Sequence, residues 1–238
     1  MSNFADAARS ALDIIAAWDS GLWRVVGFSL AVSLTATAAA ALFGLPLGAA
    51  LAIFRFPGRS PAILLVNALL GLPPVVVGLV LYLLLSRSGP LGVLRLLFTP
   101  AAMVAAQFVL ALPIVAALSH RALAGVWREF GDDLLVSGAS RGQAIFHLLS
   151  IGRRGALTAV LAGFGRTISE VGAILIVGGN IAGYTRTMTT TIVLETGKGN
   201  LAFALALGLV LIAVSVAVSA GAFAIAARSE RVRVSAAP

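Results

Sequence analysis

Along most of this chain hydrophobic positions run in blocks too long for the core of a soluble domain, and the interruptions between blocks set its organisation. Residues 1–20 are the exception. Phe4, Ala8, Leu12, Ile15 and Trp18 recur at helical spacing opposite Asp6, Arg9 and Asp13, which predicts an amphipathic helix at a membrane interface. A cleaved signal peptide is not expected, because a basic start is missing and Asp6 and Asp13 interrupt the apolar run. The first spanning helix is predicted within Val25–Phe54. At ~1.5 Å per residue that segment exceeds a hydrocarbon core of ~30 Å, so it must tilt or run past the interface. Within it, Gly44 and Gly48 stand four apart for close helix contact, and Pro46 is a candidate kink.

The second span is predicted over Ile63–Leu85, with a break at Leu72-Pro73-Pro74, where adjacent prolines remove two backbone donors. Such a break is tolerated in a bilayer where protein or water covers the freed carbonyls. A loop follows to Pro100, in which Leu91–Phe98 reads as a short interfacial helix. Ala101–Ser119, Leu157–Val177 and Leu201–Ala227 complete five spans, with a polar loop from the fourth to Asn200. The expected fold class is all-α: residues 1–238 form a single transmembrane domain, with residues 1–20 an interfacial helix and residues 120–155 a cytoplasmic loop.

Composition narrows the chemistry. The chain is 60% hydrophobic and 11% charged and holds no cysteine, which excludes a disulfide framework and thiolate metal ligation. His120 and His147 form no metal-ligand cluster in the sequence. A net charge of +8 raises the question of nucleic acid, but the arginines sit at the ends of apolar blocks, so they report topology and no nucleic-acid partner is expected. One set of loops and the C-terminal tail carry Arg55, Arg59, Arg121, Arg128, Arg141, Arg153, Arg154, Arg228, Arg231 and Arg233. The other side carries Arg9, Arg24, Arg87, Arg95, Arg186 and Lys198. The excess predicts a multi-pass protein of the cell (inner) membrane, with the tail and residues 120–155 in the cytoplasm and the N-terminus outside.

The segment Glu129–Arg154 has the grammar of a helix–turn–helix. Asp132–Val136 suits a helix, Gly138 a left-handed closing turn, and Ser140 with Gln143 a capping box for a second helix. Ile145, Phe146, Leu148 and Leu149 would be that helix's apolar side. Further on, Arg166 and Glu170 fall at i,i+4 inside the fourth span, able to pair. A lone charge at that depth costs roughly 2.5–3.5 kcal/mol on insertion scales, so unpaired exposure to lipid is excluded. Two readings of the pair stand: Arg166 lines or gates a polar path, or the two charges tie helices together. Thr167, Ser169 and Asn180 are the neighbouring donors, and no base lies near them in sequence for a nucleophilic triad. Gly163-Phe-Gly165 lacks the third glycine of a dinucleotide fingerprint and reads as close helix packing, and Gly178-Gly179-Asn180 as a turn at the membrane exit. A Gly-Lys-Ser/Thr nucleotide-binding motif is absent.

The Glu129–Arg154 segment resembles the EAA loop by which ABC-transporter permeases contact their ATPase. In that pattern a Gly-Ala pair follows an acidic residue by six positions, as Gly138-Ala139 follows Asp132. Asp133 and Leu134 stand where two small residues are usual, and Gly152-Arg153 where Leu-Pro is usual. Arg166-Thr-Ile-Ser-Glu-Val-Gly-Ala173, Gly179-Asn-Ile-Ala-Gly-Tyr-Thr-Arg-Thr-Met188, Leu72-Pro-Pro-Val-Val-Val-Gly78 and Ser86-Arg-Ser-Gly-Pro-Leu-Gly92 are similar to the permeases of tungstate and molybdate importers. The Glu-Val-Gly and Gly-Gly-Asn-Ile forms lie nearest the tungstate branch. The resemblance implies a permease that is not itself an enzyme and binds no cofactor. ATP and Mg would sit on a cytoplasmic ABC ATPase, beside a second copy of this chain and an external oxyanion-binding protein. It implies a coupling surface of Asp132, Asp133, Gly138, Ala139, Ser140 and Arg141. The path or gate residues expected from intramembrane charge and donors are Arg166, Ser169, Glu170 and Asn180. Molybdate or sulfate remains as an alternative cargo. An ion-coupled secondary transporter using Arg166 and Glu170 is the rival class, with small size, no internal repeat and the docking segment against it.

Overall fold

The computed structural model describes residues 4–235, with the backbone alone at residues 4, 222 and 225–235. The side chains of Arg228, Arg231 and Arg233, counted toward topology above, lie outside the described residues, as do residues 1–3. The described chain is all-α and has no strand. Its axis is a pair of long helices, α2 (Ser20–Ile53) and α5 (Pro100–Val136). Asp19 caps the first by accepting from the Leu22 amide at 2.7 Å, and Thr99 caps the second. The two run parallel: Ser33 lies by Gln107, Gly44 by Val115, Gly48 by Ser119, and Ile53 clusters with Leu123. Small residues let them approach. A Cβ on Gly44 would stand 3.0 Å from the Val115 side chain, and one on Gly48 would collide with the Ser119 hydroxyl and lie 2.7 Å from the Ala116 carbonyl. The helix α2 runs unbroken through Pro46.

Helix α7 (Arg153–Ile168) returns antiparallel to α5, with Gly155 against Ala122, Gly163 against Val115 and Thr167 beside Gln107. Gly163 thus has the packing role expected of it, whereas Gly165 faces open space. The helix α10 (Leu201–Ser235) packs with α1 (Phe4–Ala16) and the start of α2 around Leu22, Val26, Phe164 and Leu207. On α1, Ala7 and Ala11 are buried and Ile14 and Ile15 half-buried, while Leu12 faces outward. The stripe that meets the protein is therefore Ala7 and Ala11 with Ile14 and Ile15 beside them, and Trp18, just past the helix, stacks on Trp23.

Among the described residues, three helices are long and apolar enough to cross a bilayer: α2, α5 and the Leu201–Gly221 part of α10. Two bent pairs bring the crossings to as many as five. The expected break at Leu72-Pro73-Pro74 is present: α3 (Arg59–Ala68) and a 3₁₀ turn at Leu69–Gly71 meet α4 (Pro74–Leu85) at 100°. The second pair, α6 (Arg141–Ile151) and α7, bends by 79° at Gly152. Elsewhere the expectations need correction. Leu91–Phe98 forms a 3₁₀ turn at Gly92–Leu94, with Arg95 and Phe98 left-handed, in place of an interfacial helix. The helix of the third span continues past Ser119 as α5 to Val136, because no glycine with positive φ or proline stops it before Gly138. The fourth span is not one helix: it breaks at Ser169–Val171, and α8 (Gly172–Gly178) follows. The loop before Asn200 contains α9 (Met188–Gly197), opened by a Thr187/Thr190 capping box.

The α2–α5 contact yields a direct check. Gly48→Ala should lower the thermal midpoint of the purified protein by the equivalent of about 1–3 kcal/mol, through overpacking against Ser119 and Ala116. Gly27→Ala, where a Cβ meets nothing within 4 Å, should leave it unchanged or slightly raised. Equal midpoints for the two variants would show that α2 and α5 do not meet at Gly48.

Candidate functional site

Two regions of this framework carry polar chemistry. The first lies at the end where α5 runs beyond α2. Helix α5 closes with Gly138 at φ +88, where the Gly138 and Ala139 amides donate to the Leu135 and Leu134 carbonyls, both at 3.1 Å. Ser140 then opens α6: its hydroxyl accepts from the Gln143 amide at 3.3 Å, and its own amide donates to Gln143 Oε1 at 2.9 Å. The turn is thereby held rigidly. Asp132, Asp133, Gly138, Ser140 and Arg141 are exposed on it and Ala139 is half-buried. Helix α6 is anchored by Ala144 and Leu148 against Ala49, Ala52, Ile53 and Leu123. Ile145 and Leu149 flank that anchor, but Phe146 does not join them. At 100° per residue it turns to the far side, where it is 76% exposed, and Val136 at the end of α5 is 88% exposed. The helix–turn–helix expected over this segment is present and presents a corner with acids, a basic residue and bare apolar side chains.

The second region is the break between α7 and α8, inside the bundle. A helix broken within a bilayer frees peptide groups that water cannot reach. Here side chains from other helices take them up. Gln107 Nε2 donates to the Thr167 carbonyl at 2.8 Å, and the Thr189 hydroxyl donates to the Glu170 carbonyl at 2.7 Å. The Thr167 and Thr37 hydroxyls bond to each other at 3.0 Å. Ser29 on α2 accepts from the Met188 amide at 2.7 Å and so secures the start of α9. These residues, with Ser33 and Thr187, are all buried and form a polar column joining α2, α5, α7 and α9.

Arg166 and Glu170 meet at this break with a 3.0 Å ion pair, Nη1 to Oε2. Their roles differ. Glu170 is 2% exposed, and its Oε1 also accepts from the Ala173 amide at 3.0 Å, so it caps α8 while it holds the arginine. Arg166 is 30% exposed, so part of its guanidinium remains open. Ser169 is exposed at the same joint, but its hydroxyl is occupied by the Gly165 carbonyl at 2.7 Å. Asn180 is not brought to the joint. It lies beyond the other end of α8 at φ +50, with its carbonyl facing Arg186 and its Oδ1 buried without a partner. Gln107 and Thr189 were missed by the sequence reading. A lone amide in the otherwise apolar run 101–118 was the signal for Gln107. The Thr189 partnership spans nineteen positions and left no local trace.

No family model matches the chain. Among curated proteins it is 43% identical over 185 residues to a probable anion ABC transporter permease of Haloferax volcanii, covering 76% of this chain and 80% of the relative. It is 36% identical over 200 residues to the tungstate uptake system permease of Peptoclostridium acidaminophilum, covering 84% and 88%. The molybdenum transport system permease of Escherichia coli K12 is 30% identical over 182 residues, covering 71% and 78%.

The geometry of the joint separates the two charges energetically. Removing Arg166 (Arg166→Met) strands Glu170 and should cost about 2–3 kcal/mol, under the ~3–5 kcal/mol of a fully buried pair because the arginine is partly exposed. Adding Glu170→Gln keeps an acceptor for the Ala173 amide and removes the stranded charge, so the double variant should recover part of the loss. Thermal midpoints of the singles and the double in one detergent give the coupling. Strictly additive losses would show that the pair does not form.

Proposed function

This chain belongs to the permease subunits of anion ABC transporters, and on that premise we propose that it is the membrane subunit of an importer for a tetrahedral oxyanion of the tungstate kind. It is a multi-pass membrane protein and a transport subunit. Its cytoplasmic partner in this reading is an ABC ATPase that carries ATP and Mg, and an external binding protein delivers the anion. A second copy of the chain would cover the bare face of α4, where Val75, Val76, Leu79, Val80 and Leu83 are all exposed. The observation that carries the proposal is the rigid corner between α5 and α6. The two helices expose Val136 and Phe146 together with Asp132, Asp133 and Arg141, a mix of bare apolar and charged side chains that suits docking into a cleft on another protein. ATP-driven closure of two ATPases on two such corners would move α5 and, through the polar column, the α7–α8 break. The corner then faces the cytoplasm and the N-terminus lies outside.

The path in this reading is weakly polar. Arg166 is largely cancelled by Glu170 and the hydroxyls of the column are bonded to one another, so an anion would meet no deep trap along the way. Affinity then resides in the external protein.

Two outcomes check this. Gly138→Val should strain a turn at φ +88 by ~1 kcal/mol or more and weaken capture of the ATPase in a pull-down, whereas Gly138→Asn, which tolerates that backbone, should retain it. Undiminished capture by the valine variant would place the ATPase contact elsewhere. Calorimetric titration of tungstate into the purified permease should show no sub-micromolar site. Tight stoichiometric binding that disappears with Arg166→Ala would instead make Arg166 a substrate ligand.

A further inference from the structure

At the end of the bundle opposite the α5–α6 corner lies a cavity of about 330 Å³. It is lined by Arg24 and Phe28 of α2, Tyr184 and Arg186 of the α8–α9 connection, Glu195 of α9 and Phe203 of α10. Neither arginine meets a carboxylate among the described residues. The Nε of Arg24 donates to the Ser20 carbonyl of its own helix at 3.1 Å. Arg186 reaches the Asn180 carbonyl through Nη2 at a long 3.4 Å, and its Nε is buried with no acceptor at all. A buried guanidinium N–H left without a partner is costly unless something supplies the acceptor. The one carboxylate on the lining is already engaged: Glu195 accepts from Lys198 Nζ and Asn200 Nδ2, both at 2.9 Å, and these bonds hold its carboxyl below the usual range. Lys198 and, through space, Arg186 both act on Glu195, so Arg24, Arg186 and Lys198 stand against one carboxylate and the cavity keeps a surplus of positive charge.

The connection bearing Arg186 is built to hold its place. Thr185, 1% exposed, accepts from the Ile181 amide at 2.9 Å and donates to the Gly178 carbonyl, and the next residue, Thr187, caps α9. Arg186 is therefore set between two anchored threonines. We propose that this cavity is a receiving site for a tetrahedral dianionic oxyanion, bound weakly by Arg24 and Arg186 before it moves toward Arg166. The inference rests on the oxyanion reading above. Two guanidinium forks match the oxygens of such an anion. The volume exceeds several times the ~30 Å³ share of a water molecule, so the anion would keep part of its hydration and leave readily. Thr191, which lines the cavity, donates to the Thr187 carbonyl at 2.6 Å, and the Thr187 hydroxyl bonds that of Thr189 at 3.2 Å, linking the cavity to the buried column.

A lipid phosphate presents similar oxygens, and the experiment separates the two sources. Radiolabelled tungstate is dialysed at millimolar concentration against the full chain in phosphatidylcholine nanodiscs, and against the same chain in nanodiscs rich in phosphatidylglycerol. Binding is expected in both, weakened about tenfold by Arg24→Gln or by Arg186→Gln, nearly lost in the double variant, and partly kept by Arg186→Lys. Tryptophan circular dichroism and thermal midpoints confirm that the variants fold. Binding unchanged in the double variant overturns the site while tungstate uptake by the intact transporter leaves the functional reading standing. Loss of tungstate binding in phosphatidylglycerol, with lipid retained in an arginine-dependent way, assigns the cavity to a headgroup and also overturns it. Failure of the intact transporter to take up any oxyanion removes the reading and the site together.

Discussion

A peptide group released from its helix inside a bilayer has no water to bond with, and in this chain that constraint governs the placement of almost every buried polar side chain. The break between α7 and α8 leaves the Thr167 carbonyl with a 3.2 Å bond from the Glu170 amide and turns the Glu170 carbonyl out of the helix, and Gln107 and Thr189 reach the two from helices far away in sequence. Thr37 steadies Thr167 from α2, and Ser29 holds α9 so that Thr189 is in place. Four helices are thus tied to one joint by hydrogen bonds, and the packing of α2 on α5 through Gly44 and Gly48 supplies the rigid frame on which those bonds depend. The second break sits beside the first: a Cβ on Gly172 at the start of α8 would stand 2.9 Å from the Val75 side chain at the start of α4, and one on Gly78 would stand 2.8 Å from the backbone of Ala173. Glycine at both places is what lets the two short helices lie together.

The legibility of these features in the sequence follows the range of the interactions that create them. The break at Pro73-Pro74 is written in the missing amides, and the turn at Gly138 with its Ser140/Gln143 box is written within five residues, so both were readable. Five apolar blocks and the parallel small residues of α2 were readable for the same reason. The break at Ser169–Val171 carries no proline, its hydropathy continues into α8, and its support comes from residues 107 and 189, so a local reading continued the helix through it. Helix α9 was hidden because its buried face is made of threonines, which in sequence resemble a polar loop. Phe146 was assigned to the anchoring side of α6 from hydrophobicity alone, although its register puts it on the opposite one. Of the candidate site, the Arg166–Glu170 pair was found, the capping function of Glu170 was not, and Asn180 proved to belong to the neighbourhood of Arg186.

Charge is distributed in a way that suits passage of an anion rather than its retention. At the joint a carboxylate cancels the guanidinium, whereas at the other end of α2 Arg24 and Arg186 form no ion pair among the described residues and outnumber the one acid there, Glu195, which bonds Lys198. An anion approaching from that end meets attraction at the surface and near neutrality within. The exposed corner at the opposite end has acids, Arg141 and bare Val136 and Phe146, a surface whose chemistry fits a protein and not an ion. The proposed function gives both ends a role, with an ATPase acting at one and the anion received at the other.

The account stands or falls on what drives movement of the anion. Tungstate accumulation should be counted by mass spectrometry in proteoliposomes containing this chain, with and without a partner ABC ATPase and an external oxyanion-binding protein. Accumulation that requires all three proteins and ATP inside the functional compartment, and that ignores an imposed proton gradient, is the expected result. Uptake by this chain alone in response to a proton or ion gradient, without the ATPase, would contradict it.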